Sequence, residues 1–233
     1  MRQKDARIDW ATTIMGEKLL FGLLGKILYA EPDKTWLQSL VAQDVFAEIP
    51  FGEEKSESAK GLELLQKWSH ESGASLSDIS FDELRADYMR LFVGIGKVLA
   101  PPWESVYFND ARMVFQVQTL QVRDWFHRYG VETEKLHQEP DDHIGLELTF
   151  LSHLAMLGLQ AIDEKDDIKF EQVLEAQRQF LIEHPLKWVP EWCKLVGEKA
   201  NTDFYRGLAL LVRGTLFSLA EILEIQLLQA DKM

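Results

Sequence analysis

The sequence has 233 residues, 46% of them hydrophobic and 27% charged, with a net charge of −13. That length gives one large domain or two closely packed halves, and the composition excludes wholesale disorder. The acidity opposes nucleic acid and anionic lipid surfaces as partners and favours basic ones. The single cysteine, Cys193, excludes an internal disulfide framework and any multi-cysteine metal site, and fits a reducing compartment.

Residues 1–13 carry Arg2, Lys4, Asp5, Arg7 and Asp9 with no apolar run behind them, so no secretory signal is expected. From Leu20 the apolar positions Leu20, Leu23, Leu24 and Ile27 follow helical spacing, and Pro32 stops that helix. A second helix is predicted over 34–47, ending near Pro50. Residues 53–71 form a surface helix with Leu62, Leu65 and Trp68 on its apolar side. Ser80 or Asp82 caps the next helix, which runs to about Val93 with Leu84, Tyr88, Leu91 and Phe92 on one face.

Residues 94–108 break the pattern with Gly94, Gly96, Pro101 and Pro102. They also hold Trp103, Val106, Tyr107 and Phe108, so they read as an ordered loop rather than a linker. Asn109 or Asp110 caps a helix ending at Gly130. Residues 131–139 are polar and turn-like, a candidate hinge between two halves and a route to a domain-swapped dimer. Pro140 opens a long helix to about Ile162, and another spans 168–183. Pro185 and Pro190 mark a short irregular stretch, and Thr202 or Asp203 caps a last helix striped with Leu208, Leu211, Val212, Leu216 and Leu219. No strand alternation persists, so the fold class is all-α, with about nine or ten helices. The most apolar stretch, 208–228, is interrupted by Arg213, Glu221 and Glu224, which argues against a membrane span and for a cytoplasmic protein.

Several clusters are candidates for chemistry. Gly94-Ile95-Gly96-Lys97 lacks the spacing of a phosphate loop and the hydroxyl residue after the lysine, so the glycines read as helix terminators. His137, Asp141, Asp142, His143 and Glu147 lie within eleven residues and define one reading, a metal-dependent helical hydrolase. Against it, acids beside a helix start are ordinary helix chemistry, and a catalytic metal needs three converging protein ligands. Cys193 and the scattered His70, His127, His153 and His184 read as structural. The proline-stiffened loop 100–107 presents Trp103 and Tyr107 either as a binding groove or as plugs in the core.

Three stretches together resemble a known family. Tyr88-x-x-Leu91-Phe92-x-Gly94, Pro101-Pro102-Trp103-Glu104-Ser105-Val106-Tyr107 and Glu139-Pro140-x-Asp142-His143-x-Gly145 look like the signature blocks of the TorD/DmsD redox-enzyme maturation chaperones. The final helix opening Asp203-Phe204-Tyr205-Arg206 is similar too, whereas the first eighty residues match only in being helical. The resemblance implies a cytoplasmic, all-helical, non-enzymatic chaperone without a resident cofactor. Its partner would be the twin-arginine signal peptide, and so the precursor, of a molybdopterin-containing oxidoreductase. The site it implies comprises Tyr88, Leu91, Phe92, Pro101, Pro102, Trp103, Asp142 and His143. Tyr107 joins these from the aromatic loop, and Asp142 is expected to pair with arginine. The family often has Trp at the position of Tyr88 and a less charged residue at that of Glu104. Some relatives bind guanine nucleotide, which nothing resembling a phosphate loop supports here.

Overall fold

The computed structural model describes residues 8–52, 55–73, 76–94, 97–133 and 139–226. Among these are nine α-helices: α1 (Trp10–Tyr29), α2 (Lys34–Ala42), α3 (Ser56–Ser72), α4 (Asp78–Tyr88), α5 (Val117–Arg128), α6 (Ile144–Glu164), α7 (Asp167–Glu183), α8 (Pro185–Lys199) and α9 (Asp203–Ile222). A π-turn (Met89–Val93) extends α4, and one 3₁₀ turn (Glu104–Tyr107) sits in the aromatic loop. No strand occurs among the described residues, and one isolated bridge pairs Trp103 with His143. The protein is all-α.

Side-chain caps start most of the helices. Asp9, Asp33, Ser77, Asp166 and Thr202 each accept a backbone N–H from the first turn, satisfying donors that have no partner within the helix. Ser77 caps α4, not Ser80 or Asp82; the Ser80 amide is the donor to it, at 3.1 Å.

Two close helix crossings set the frame. α1 packs along α6, and α3 along α9. At the first, a Cβ on Gly145 would lie 2.8 Å from the Gly25 carbonyl oxygen and 2.8 Å from the Cα of Tyr29. At the second, a Cβ on Gly61 would lie 2.7 Å from the Gly207 carbonyl oxygen. Only glycine lets these backbones meet. The α3 stripe of Leu62, Leu65 and Trp68 is buried, so this polar helix covers α9 with its apolar side.

Four boundaries differ from the sequence reading. α2 ends at Ala42 rather than 47, and the chain turns there, with Asp44 in the left-handed region at φ 51°. α5 begins at Val117, not after Asp110. Asn109 instead ties up its own loop: its amide donates to the Ser105 and Met113 carbonyls, and its Oδ1 accepts the Met113 amide. α6 begins at Ile144, because the Pro140–Asp142 segment is a turn committed to the aromatic loop. The stretch around Pro185 and Pro190 is helix α8. Pro185 occupies its first turn, where a missing N–H costs nothing. Pro190 removes one helical hydrogen bond, and burial of Trp188, Val189, Trp192, Cys193 and Val196 on one face carries the helix through.

α6 is long and apolar enough to cross a membrane. Here it is a core helix: Leu148, Leu151, Leu154 and Ala155 are fully buried against α1 and α7. Of the candidate hinge, residues 134–138 lie outside the described residues.

Candidate functional site

The aromatic loop is held by backbone donors finding acceptors across sequence. Pro101 and Pro102 have no N–H, so they can only accept. The Pro101 carbonyl takes the Tyr107 hydroxyl at 2.9 Å, and the Pro102 carbonyl takes the Ile144 amide at 2.8 Å. In return the Glu104 amide donates to the Asp142 carbonyl at 2.9 Å, closing the Trp103–His143 bridge. The Ala100 amide donates to Leu91, which ties the loop to the π-turn. Gly94 closes that π-turn through its amide to Met89 at 2.6 Å with φ 68°, a conformation L side chains rarely adopt. The glycine therefore terminates a helix, as its sequence context indicates.

Beneath the loop runs a seam of buried acids. Asp142 is 0% exposed; its Oδ2 accepts the Ser105 amide at 2.7 Å and its Oδ1 the Thr119 hydroxyl at 2.6 Å. Asp141 accepts Arg123 Nε at 2.8 Å and the Thr133 hydroxyl at 2.8 Å. Glu104 is 1% exposed and meets His184 Nδ1 at 2.8 Å, a partner 80 residues away. Glu147 accepts the Trp188 indole N–H at 3.1 Å through one oxygen, and its other oxygen finds no partner among the described residues. Burial raises the Glu104 carboxyl above its usual range, against the opposing pull of His184. Burial, reinforced by the nearby Glu104, pushes Glu147 well above the ordinary carboxylate range.

The first block performs a parallel task. Asp87 is buried and accepts the Asn201 amide, the Thr202 amide and the Thr202 hydroxyl, each at 2.9 Å, while Arg90 pairs with its other oxygen at 2.6 Å. This anchors the entry to α9. Leu91 is buried, and Phe92 stacks on Trp192 at 5.9 Å and meets Tyr205 edge-on at 5.4 Å.

The site residues read from sequence therefore divide by position. Leu91, Phe92, Pro101, Pro102 and Asp142 lie inside, holding the π-turn and the loop. Tyr107 is half-buried, its ring 5.2 Å from Trp188. Trp103, half-buried, reaches the surface and donates its indole N–H to Glu139 at 2.6 Å. His143 caps α6 by accepting the Gly145 amide on Nδ1 at 3.0 Å, which leaves the ring proton on Nε2. Its ring stands between Trp103 (5.9 Å) and Tyr29 at the end of α1 (5.5 Å). Tyr88 is brought to the same edge. Its hydroxyl pKa is pushed up to about 12, by burial first and then by the negative fields of Glu31 and Glu139. Half-buried Tyr29 and Trp103, with Glu31 and Glu139 beside them, thus form an aromatic lip with an acidic rim, while Tyr88 and His143 are buried behind it. Sequence reasoning missed Tyr29 and Glu31, since nothing marks the end of one helix as facing the start of another.

The hydrolase reading finds no geometry to support it. His137 lies outside the described residues, Asp141 and Asp142 are spent on donors in the fold, and His143 Nδ1 is occupied. No group of three His, Cys, Asp or Glu among the described residues is placed to hold a metal ion. Cys193 is buried, and burial drives its thiol pKa upward, so it is a core residue.

Among the described residues, nine helices and a loop that is bridged to the start of α6 define an all-helical class of protein. A family model described as the nitrate reductase delta subunit matches residues 53–194, more than half of the chain and all three blocks above. The chain belongs to this family, which takes in the TorD and DmsD chaperones. It is 34% identical to the chaperone protein TorD of Aliivibrio salmonicida over 123 residues, 53% of this chain and 56% of that protein. It is 27% identical to the probable Tat proofreading chaperone DmsD of Haemophilus influenzae over 195 residues, 83% and 85% of the two chains. It is 30% identical to the Tat proofreading chaperone DmsD of Salmonella typhi over 137 residues, 59% and 60%. The match spans little more than half the length of these TorD and Salmonella relatives.

Proposed function

We propose that this chain is a cytoplasmic chaperone that binds the twin-arginine signal peptide of a molybdopterin-containing oxidoreductase. It holds the precursor until the cofactor is inserted and folding is complete, and then releases it for export. The observation that carries this reading is the lip: the half-buried rings of Trp103 and Tyr29 beside the carboxylates of Glu139 and Glu31. Arginine is a planar fork that pairs with carboxylates and stacks on aromatic faces, so such a lip suits an arginine pair better than a lysine pair. In this reading Glu31 and Glu139 meet the arginines. Asp142, Leu91, Phe92, Pro101, Pro102 and Tyr107 serve binding by fixing the loop that presents Trp103. The exposed ion pair between Glu31 and Arg85, at 3.5 Å, is weak enough to be exchanged for a ligand cation.

The test is calorimetric titration of a twin-arginine peptide and its twin-lysine version into wild type and the Glu31→Gln, Glu139→Gln double variant. The arginine peptide binds the wild type more tightly than the lysine peptide, and the double variant loses that preference. Equal binding of both peptides to both proteins sinks the assignment of the acidic lip.

A further inference from the structure

We propose that the cavity between the end of α1, the start of α2 and the start of α9 receives the apolar stretch that follows the basic pair of a bound signal peptide. The inference rests on the reading above and extends it to a part of the chain that the family match does not reach. The cavity holds about 710 Å³ and is lined by residues between Lys26 and Ser39 together with Phe204 and Tyr205. All of these fall outside the matched residues 53–194. The volume is that of a site for a sizeable ligand, within the range of about 300–1,000 Å³.

Three observations join the cavity to the lip and to this occupant. The first is continuity. Tyr29 lines the cavity and its ring meets His143, which meets Trp103; Tyr205 lines it and meets Tyr88 at 6.3 Å. The second is chemistry. Ile27, Leu37 and Phe204 form a buried apolar floor, and Trp36 forms a half-buried wall. Lys26, the one cation among the described lining residues, lies 4.2 Å over the Trp36 ring and so is held against the wall. The third is charge. Glu31 and Asp33 sit on the cavity's rim at the turn between α1 and α2. A ligand that places cations at an acidic rim and apolar side chains behind them is complementary to both parts at once. The lip would then read the arginine pair, and the walls contributed by α1, α2 and α9 would read the apolar stretch.

Filling the cavity tests this without replacing any residue of the lip. Ala30 and Thr35 line the cavity and are exposed, so Ala30→Phe and Thr35→Phe each add bulk there without opening the core. The probes are two synthetic peptides, one with an arginine pair followed by a leucine-rich stretch and one ending after the arginines. Either filled variant, at wild-type melting temperature, binds the long peptide at least tenfold more weakly than wild type does. Its affinity for the short peptide is unchanged. Trp103→Ala weakens both peptides and reports on the lip separately. Wild-type affinity for the long peptide in both filled variants, with Trp103→Ala still defective, overturns the cavity and leaves the lip standing. Failure of the wild type to bind either peptide overturns both.

Discussion

The helix crossings and the acidic seam are both buried, and they are built on opposite principles. At Gly25–Gly145 and Gly61–Gly207 the backbones meet because nothing stands between them; a single methyl group would fall under 3 Å from main-chain atoms. Under the aromatic loop, position is set by polar pairs instead: Asp142 with Ser105 and Thr119, Glu104 with His184, Glu147 with Trp188. A helix carries its own hydrogen bonds and needs only shape to find its neighbour. A proline-rich loop carries few, so its donors must find acceptors elsewhere, and burying those acceptors makes each one costly to lose. The crossings should therefore be indifferent to pH and intolerant of volume. The seam should tolerate volume better and respond to pH.

The sharpest break in that comparison is Glu104→Ala. Removing one partner of a buried pair costs about 3–5 kcal/mol, whereas replacing Glu104 and His184 together by apolar residues recovers much of the loss. Urea denaturation of the single and double variants measures both. Gly145→Ala tests the other side: overpacking costs roughly 1–3 kcal/mol, toward the upper end here because the neighbours are backbone. That penalty should be the same at acid and neutral pH. Asp142→Asn keeps one acceptor for the Ser105 amide, forces the Thr119 hydroxyl to turn from donor to acceptor and removes the charge from both bonds, at a cost of about 1–3 kcal/mol in thermal melts. Its preference for arginine over lysine peptides should survive, since the carboxylate lies beneath the lip. Loss of that preference with stability intact would return Asp142 to direct contact with the ligand.

The smallest effect is the pH slope. Glu147 has a folded pKa raised above its usual 4.5, so the folded chain holds a proton that the unfolded chain releases. Its contribution is complete below 4.5 and is lost as pH rises toward the folded value. Glu17, buried beside Gln177, acts with the same sign. Glu147→Gln should therefore gain stability relative to wild type as the pH is raised from about 5 to about 8, read from denaturation midpoints across that range. A constant difference between the two proteins would show that Glu147 is ionised in the fold.

What the sequence displayed follows the same division. Helices such as α1 and α9 show their apolar stripes, so their places were legible, and so was the all-α class. α8 was not, because Pro190 looks like a breaker until Trp188 and Trp192 are seen to be buried together. The start of α6 was read four residues early, because Pro140 is a good first-turn residue and nothing local reveals that Asp142 serves Ser105 across the loop. The three blocks pointed to the aromatic loop. The rest of the lip and the cavity behind it depend on where Tyr29, Glu31 and Trp36 arrive, and tertiary packing alone settles that. His184 carried no local signal, since its partner is 80 residues away.

The central claim is that a twin-arginine peptide binds at the Trp103 lip. The most direct test is the set of indole N–H resonances of the isotope-labelled protein as client peptide is added. The Trp103 indole is hydrogen-bonded to Glu139 at the rim, whereas Trp188 and Trp192 are each 1% exposed in the core. The account predicts that the Trp103 resonance shifts in proportion to saturation while those of Trp188 and Trp192 stay in place. Saturable binding that leaves the Trp103 resonance unmoved would contradict it.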